Sequence, residues 1–231
     1  MKNTIFKLLT ILLMALTLTA CGSSEDAGRG GPPMSVNEDG TSTFDTTNLL
    51  NTLAALPIEA LSANEIASLA FMREEEKLAY DVYSQLNTLW GSQVRVFGNI
   101  AQSEASHTEA VRQLLIRYGL ADPALNLQAG VYADASLQSL YTTLVGQGSA
   151  SLVAALQVGA AIEEIDLLDI ETALQIIDNQ DIRMVYDNLA KGSRNHLRSF
   201  VKNLENQGVV YVPQHLSVTD YNAIVTTPTE R

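Results

Sequence analysis

The 231-residue chain predicts an all-α fold, a four-helix bundle with a long crossover between its second and third helices. Three observations carry that prediction. Apolar residues recur in alternating steps of three and four along four separate stretches, the period of a helix stripe that faces a core. Capping and glycine signals punctuate those stretches. A long segment broken by Asp122-Pro123 separates the second stretch from the third.

The chain starts with a different kind of segment. Met1–Ala20 carries Lys2 and Lys7, then an apolar run from Leu8 to Leu18 that ends in small residues. That run is too short to span a bilayer as a mature helix and reads as a signal peptide. Its end, Leu18-Thr19-Ala20-Cys21, resembles the lipobox of bacterial lipoproteins. The resemblance implies cleavage before Cys21, lipidation of its thiol, and a membrane contact made through that lipid anchor. Gly22, where inner-membrane retention would use Asp, favours the outer membrane, facing the periplasm. Cys21 is the only cysteine, which excludes an internal disulfide and a thiolate metal cluster. The net charge is −12, and −14 once Lys2 and Lys7 leave with the leader. Nucleic acid is a poor partner for so acidic a chain, because its affinity rests on Lys and Arg neutralising phosphates. From Gly22 to about Thr47 the sequence is rich in Gly, Ser, Pro, Asp and Thr and shows no hydrophobic periodicity. Residues 21–60 are therefore expected to form a flexible tether, with at most a short helical turn over Leu49–Leu56 ended by Pro57.

The bundle is expected over residues 61–207, with a C-terminal tail over 208–231. Ser62-Ala63-Asn64-Glu65 is a capping box, with Leu61 and Ile66 placed as a hydrophobic staple. The first helix should run from Ala63 to about Trp90 on the seam Leu69, Met72, Glu76, Ala79, Tyr83, Leu86 and Trp90. The second, from about Phe97 to Tyr118, has the seam Ile100, Glu104, His107, Val111, Leu114 and Tyr118, with Gly119 as its terminator. A short helix near Leu137–Val145 lies within the crossover. The third long helix, about Ala150 to Ile177, has the seam Val153, Leu156, Ala160, Glu163, Leu167, Ile170 and Leu174. Asp181 should cap the fourth, which runs to about Asn206 on Val185, Leu189, Ser193, His196, Phe200 and Asn203 or Leu204.

Each seam is broken near mid-helix by a polar residue. Burying an unpaired carboxylate or imidazole costs several kcal/mol, roughly 2–7 even for a neutral polar group, so such residues need partners. Glu76, Glu104, His107, Glu163 and His196 would satisfy one another best around a metal. Glu74 and Glu75 are expected to be solvated, and His215 lies beyond the bundle, at the surface.

Glu104-Ala-Ser-His107 is the Glu-x-x-His pattern that places two metal ligands on one helix face. Glu76, with Ala79 at +3 and Tyr83 at +7, looks like the first ligand helix of ferritins. Met72-Arg-Glu-Glu-Glu-Lys-Leu-Ala79, Ser103-Glu-Ala-Ser-His107 and Gly192-Ser-Arg-Asn-His-Leu-Arg198 resemble the ferritin-like domain of unknown function 2202. The resemblance implies a ferritin-like four-helix bundle and a carboxylate-bridged metal site. In it Glu104 bridges two ions and each histidine binds one. It departs from the superfamily at Ser193, where a second bridging carboxylate is expected three residues before His196. Glu164, or Asp166 one turn from Glu163, is the candidate replacement, and a homodimer is another way to complete the site. Oxygen and imidazole ligands without thiolate suit iron, and also manganese or zinc. A di-iron oxidase or peroxidase would need an external electron donor, since the chain has no Cys₄ module. The alternative is a non-catalytic structural or interaction lipoprotein with a degenerate or single-metal site.

Overall fold

The computed structural model describes residues 31–231. The expected signal peptide and lipidated Cys21 lie outside the described residues. The described chain is mostly helical, with β1 (Met34–Val36), β2 (Ser42–Phe44), α1 (Thr46–Ala55), α2 (Ala63–Trp90), α3 (Val96–Arg117), α4 (Ala135–Gly148), α5 (Leu152–Leu174), α6 (Gln180–Asn206) and α7 (Val218–Val225). No helix among the described residues is long and apolar enough to cross a membrane.

The four seams are buried along most of their length, with Trp90, Tyr118, Val153 and Leu174 near the helix ends only partly covered. Leu69, Tyr83, Leu114, Leu156, Leu189 and Phe200 are each 0% exposed. Each such Leu or Phe contributes about 1.5–3 kcal/mol by leaving water. The capping box forms: Glu65 N–H donates to Ser62 Oγ at 3.2 Å, and Ser62 N–H to Glu65 Oε2 at 2.8 Å. Ile66 takes no part in a buried staple and is 42% exposed. Gly119, at φ +64°, ends α3, and Leu120 N–H reaches back to Leu115 O at 2.9 Å. That is the glycine-terminated helix end expected from the sequence.

Asp181 does not cap α6. Asn179 holds that position, and Asp181 is fully buried in the first turn, where it accepts from Arg117 Nε and the Tyr118 hydroxyl, both at 2.7 Å. Its carboxylate ties α3 to α6 and is not free to cap.

Short links fold α3 back along α2 and α6 back along α5. The crossover then travels the length of the helices. The end of α3 lies beside the start of α6 through Arg117 and Asp181. The start of α5 lies beside the end of α2, where Trp90 Nε1 donates to Gly148 O at 3.0 Å.

Two segments depart from expectation. From residue 31 onward the expected tether is an antiparallel hairpin, Met34 opposite Phe44 and Val36 opposite Ser42, followed by α1. Met34, Ser42 and Phe44 are buried against the long helices. Strands of three residues are too short to show as periodicity in a polar stretch. The C-terminal segment also packs back. Tyr211 and Tyr221 are buried, and Glu230 accepts from Arg194 and Arg198 on α6.

Candidate metal centre

The mid-helix breaks converge. Glu104 of α3 stands between the two histidines, with Oε2 at 2.9 Å from His107 Nδ1 and Oε1 at 2.8 Å from His196 Nδ1. Glu76 of α2 approaches His107 Nδ1 at 3.4 Å, and Glu163 of α5 approaches His196 Nδ1 at 3.5 Å. Two groups result, Glu76–Glu104–His107 and Glu104–Glu163–His196, each with its donor atoms within 4.8 Å of one another. The imidazoles stack with centroids 5.4 Å apart and planes 18° apart. All five residues are buried.

Seam position places them there. Glu104 and His107 lie one turn apart on α3, and Glu76 and Glu163 face them from α2 and α5. Gly192 on α6 gives the rings room, because a Cβ there would sit 2.6 Å from His107 Cε1.

The hydrogen-bond pattern shows what the arrangement lacks. His107 Nδ1 and His196 Nδ1 have no hydrogen-bond partner despite carboxylate oxygens within 3 Å, and Glu76 Oε1 has none either. The oxygens lie close to each nitrogen but not along an N–H direction. Two ligands on one ion with bonds of about 2.1 Å lie roughly 3.0–3.4 Å apart, for octahedral to tetrahedral angles. The observed separations of 2.8–3.5 Å fit that spacing. Nitrogen and carboxylate donors in this geometry fit a divalent metal.

Electrostatics agree. Burial favours neutral imidazoles, but Glu104, helped by Glu76, outweighs it and holds His107 well above its usual range. His196 is raised to about 9, against burial, by Glu104 and Glu163. Burial would raise Glu104, but the two histidines overcome it and pull the carboxyl far down. Burial pushes Glu76 up to about 7, opposed by His107. A metal entering the centre therefore competes with protons for these groups.

The remaining sequence candidates separate. Glu164 is not part of the centre. It is fully buried facing the C-terminal segment, accepting from Tyr211 Oη at 2.7 Å and from the His215 and Leu216 N–H groups at 2.6 and 2.8 Å. His215 itself is exposed, as expected. Asp166 does turn toward the centre. It accepts a short hydrogen bond from the Ser193 hydroxyl, and its other oxygen is buried without a partner. Burial, then Glu76 and Glu163, hold its carboxyl well above the usual range.

Glu74 and Glu75 are buried rather than solvated, at 3% and 5% exposure: the crossover covers Glu74, and Glu75 faces Asp166 and Asp169 of α5. Glu74 accepts from Asp134 N–H at 3.0 Å, which pins the crossover. Both oxygens of Glu75 lack a partner, and burial, then Asp166 and Asp169, push its carboxyl well up.

Two further contacts were not visible in the helix seams. The Tyr83 hydroxyl donates to Glu163 Oε1 at 2.5 Å. Ser42 Oγ on β2 lies 2.8 Å from His107 Nε2 and 3.1 Å from His196 Nε2. Tyr118, by contrast, is bonded to Asp181 and lies away from the centre.

Known proteins place this chain. An uncharacterized protein of Methanocaldococcus jannaschii, MJ0754, is 45% identical over 183 residues, covering 79% of this chain and 98% of that protein. The crystal structure of hypothetical protein MJ0754 superposes with a TM-score of 0.73 at 46% identity, covering 76% of this chain and 99% of the solved one. The family model described as "Uncharacterized protein domain (DUF2202)" matches residues 65–228, and this chain belongs to that family.

Proposed function

We propose that this protein is a metal-binding protein of ferritin-like architecture. Its centre binds two ions through Glu76 and His107 on one side and Glu163 and His196 on the other, with Glu104 between them. One observation carries the reading: both oxygens of Glu104 face otherwise unpartnered, fully buried imidazole nitrogens. Iron is the proposed metal, with manganese or zinc as the other ions this donor set accepts. Bound iron would supply one-electron redox chemistry, oxidising from the ferrous state while O₂ or peroxide is reduced, with electrons returned by an external donor.

The residues around the site support that use. Tyr83 holds Glu163 in place through its hydroxyl. A small cavity beside Glu104 and Glu163 is lined by Leu78, Ala79, Leu140 and Ile162 together with the buried acids Glu75 and Asp166. Cys21 is proposed as the lipid anchor holding the domain at the cell envelope. A Cys21→Ser chain should then leave the membrane fraction.

A second reading is favoured by Ser193, which leaves the α5–α6 side one carboxylate short. In that reading the site holds one structural ion and does no chemistry. Elemental analysis of protein purified without metal-affinity steps separates the two. Two irons per chain, with a peroxide-dependent spectral change, supports the oxidoreductase. One ion with no spectral response supports the structural site. No metal, with a melting temperature unchanged by chelators, would sink both.

A further inference from the structure

The metal reading uses only helix residues, yet the hairpin touches both histidines. Ser42 is fully buried and its Oγ contacts both Nε2 atoms. Its position is fixed from several sides. Ser42 N–H donates to Ser103 Oγ at 3.0 Å, and Phe44 N–H to Ser106 Oγ at 3.1 Å, both on the helix that carries Glu104 and His107. The Phe44 ring meets the His107 ring edge-on at 5.8 Å. On the other side, Ser199 of α6 donates to the Asp39 carbonyl at 2.7 Å. Gly192 admits the hairpin, because a Cβ there would lie 2.8 Å from Ser42 Oγ.

A neutral imidazole has one N–H and one lone pair, and the partner of one nitrogen decides the role of the other. A hydroxyl oxygen has two lone pairs and can accept two N–H groups. We propose that Ser42 is a positioning residue of the centre: it accepts from Nε2–H of both histidines, so that both Nδ1 atoms present lone pairs to the metal side. The hairpin is then a working part of the site, although it precedes residues 65–228, which the family model matches. This inference rests on the metal reading above and deepens it.

The test uses the full chain, ¹⁵N-labelled at histidine and titrated with zinc, which is diamagnetic. Wild-type protein should show both rings protonated at Nε2 and metal-bound at Nδ1. Ser42→Ala should weaken zinc binding by about ten- to a hundredfold, the range for losing an outer partner of a ligand. Its metal-free form should melt somewhat below wild type, because two buried ring N–H groups lose their acceptor. Met34→Ala, which loosens the hairpin without touching either ring, should leave affinity near wild type. The inference is overturned if either wild-type ring binds through Nε2, if Ser42→Ala binds zinc unchanged, or if Met34→Ala matches its loss. Should Ser42→Ala fail to fold, the wild-type spectrum still decides. Wild-type protein that takes up no zinc would overturn the metal reading itself, and Ser42 would have nothing to position.

Discussion

On the α2–α3 side of the centre, Glu76, Glu104 and His107 surround one set of converging donor atoms. On the α5–α6 side, Glu163 and His196 face the same Glu104, and Ser193 lies three residues before His196. Helix pairing makes the two sides geometrically alike: Glu76 and Glu163 approach their histidines at 3.4 and 3.5 Å. The difference is where the extra carboxylate sits. Asp166 lies on α5, one turn beyond Glu163, and accepts a hydrogen bond from the Ser193 hydroxyl.

The comparison breaks most completely at the residue both sides share. Glu104→Ala should abolish binding of both ions, so elemental analysis should fall from two metals per chain toward none. One retained ion would mean that one side binds without it. Single-sided changes come next. Glu76→Ala and Glu163→Ala should each cost one ion, and under chelator titration of wild-type protein the α5–α6 ion should leave first. Simultaneous loss of both ions would show the two sides to be equivalent despite Ser193.

The helices and their polar breaks were legible because burial imposes a period on them. Leu69, Met72, Tyr83 and Leu86 mark the face of α2 that meets the core, and Glu76 stands out only against that apolar row. The same logic chose Glu163 over Glu164. What stayed hidden lacks a period. Ser42 lies on a three-residue strand in a Gly- and Ser-rich stretch, and its role depends on Ser103, Ser106 and Gly192, far away in sequence. Glu74 and Asp81 are buried because the crossover folds over them. Tyr132 Oη and Gly130 N–H both reach Asp81, at 2.8 and 2.9 Å. A helix sequence does not say which of its faces a distant loop will cover.

Asp166 sharpens the comparison through opposite signs. In metal-free protein its unpartnered oxygen is a buried liability near Glu76 and Glu163. Asp166→Asn keeps the shape and removes an acid whose charged form burial, Glu76 and Glu163 disfavour. The metal-free variant should therefore be at least as stable as wild type. Metal binding on the α5–α6 side should weaken at the same time. Denaturant melts of the stripped protein and zinc titrations measure the two effects. A variant that is less stable without metal would show that Asp166 is held for packing alone.

The smallest effect concerns what braces each side. The crossover covers α2, whereas α6 is braced by the C-terminal segment through Glu230, whose carboxyl Arg194 and Arg198 pull down to about 2 from the ordinary 4.5. A lowered carboxyl pKa stabilises the fold fully above the unfolded value and stops doing so as pH falls through the folded one. Wild-type protein should thus melt above Glu230→Gln by a constant, small margin at every pH above about 4.5, because the ion pairs are partly exposed and screened. That margin should shrink as the pH falls and vanish near 2. The metal-free α2–α3 side has no part in this brace, so Glu230→Gln should leave the order in which chelator removes the two ions unchanged. If the variant instead releases the α5–α6 ion earlier, the C-terminal brace reaches the centre through α6 and His196, and the two sides differ in support as well as in ligands.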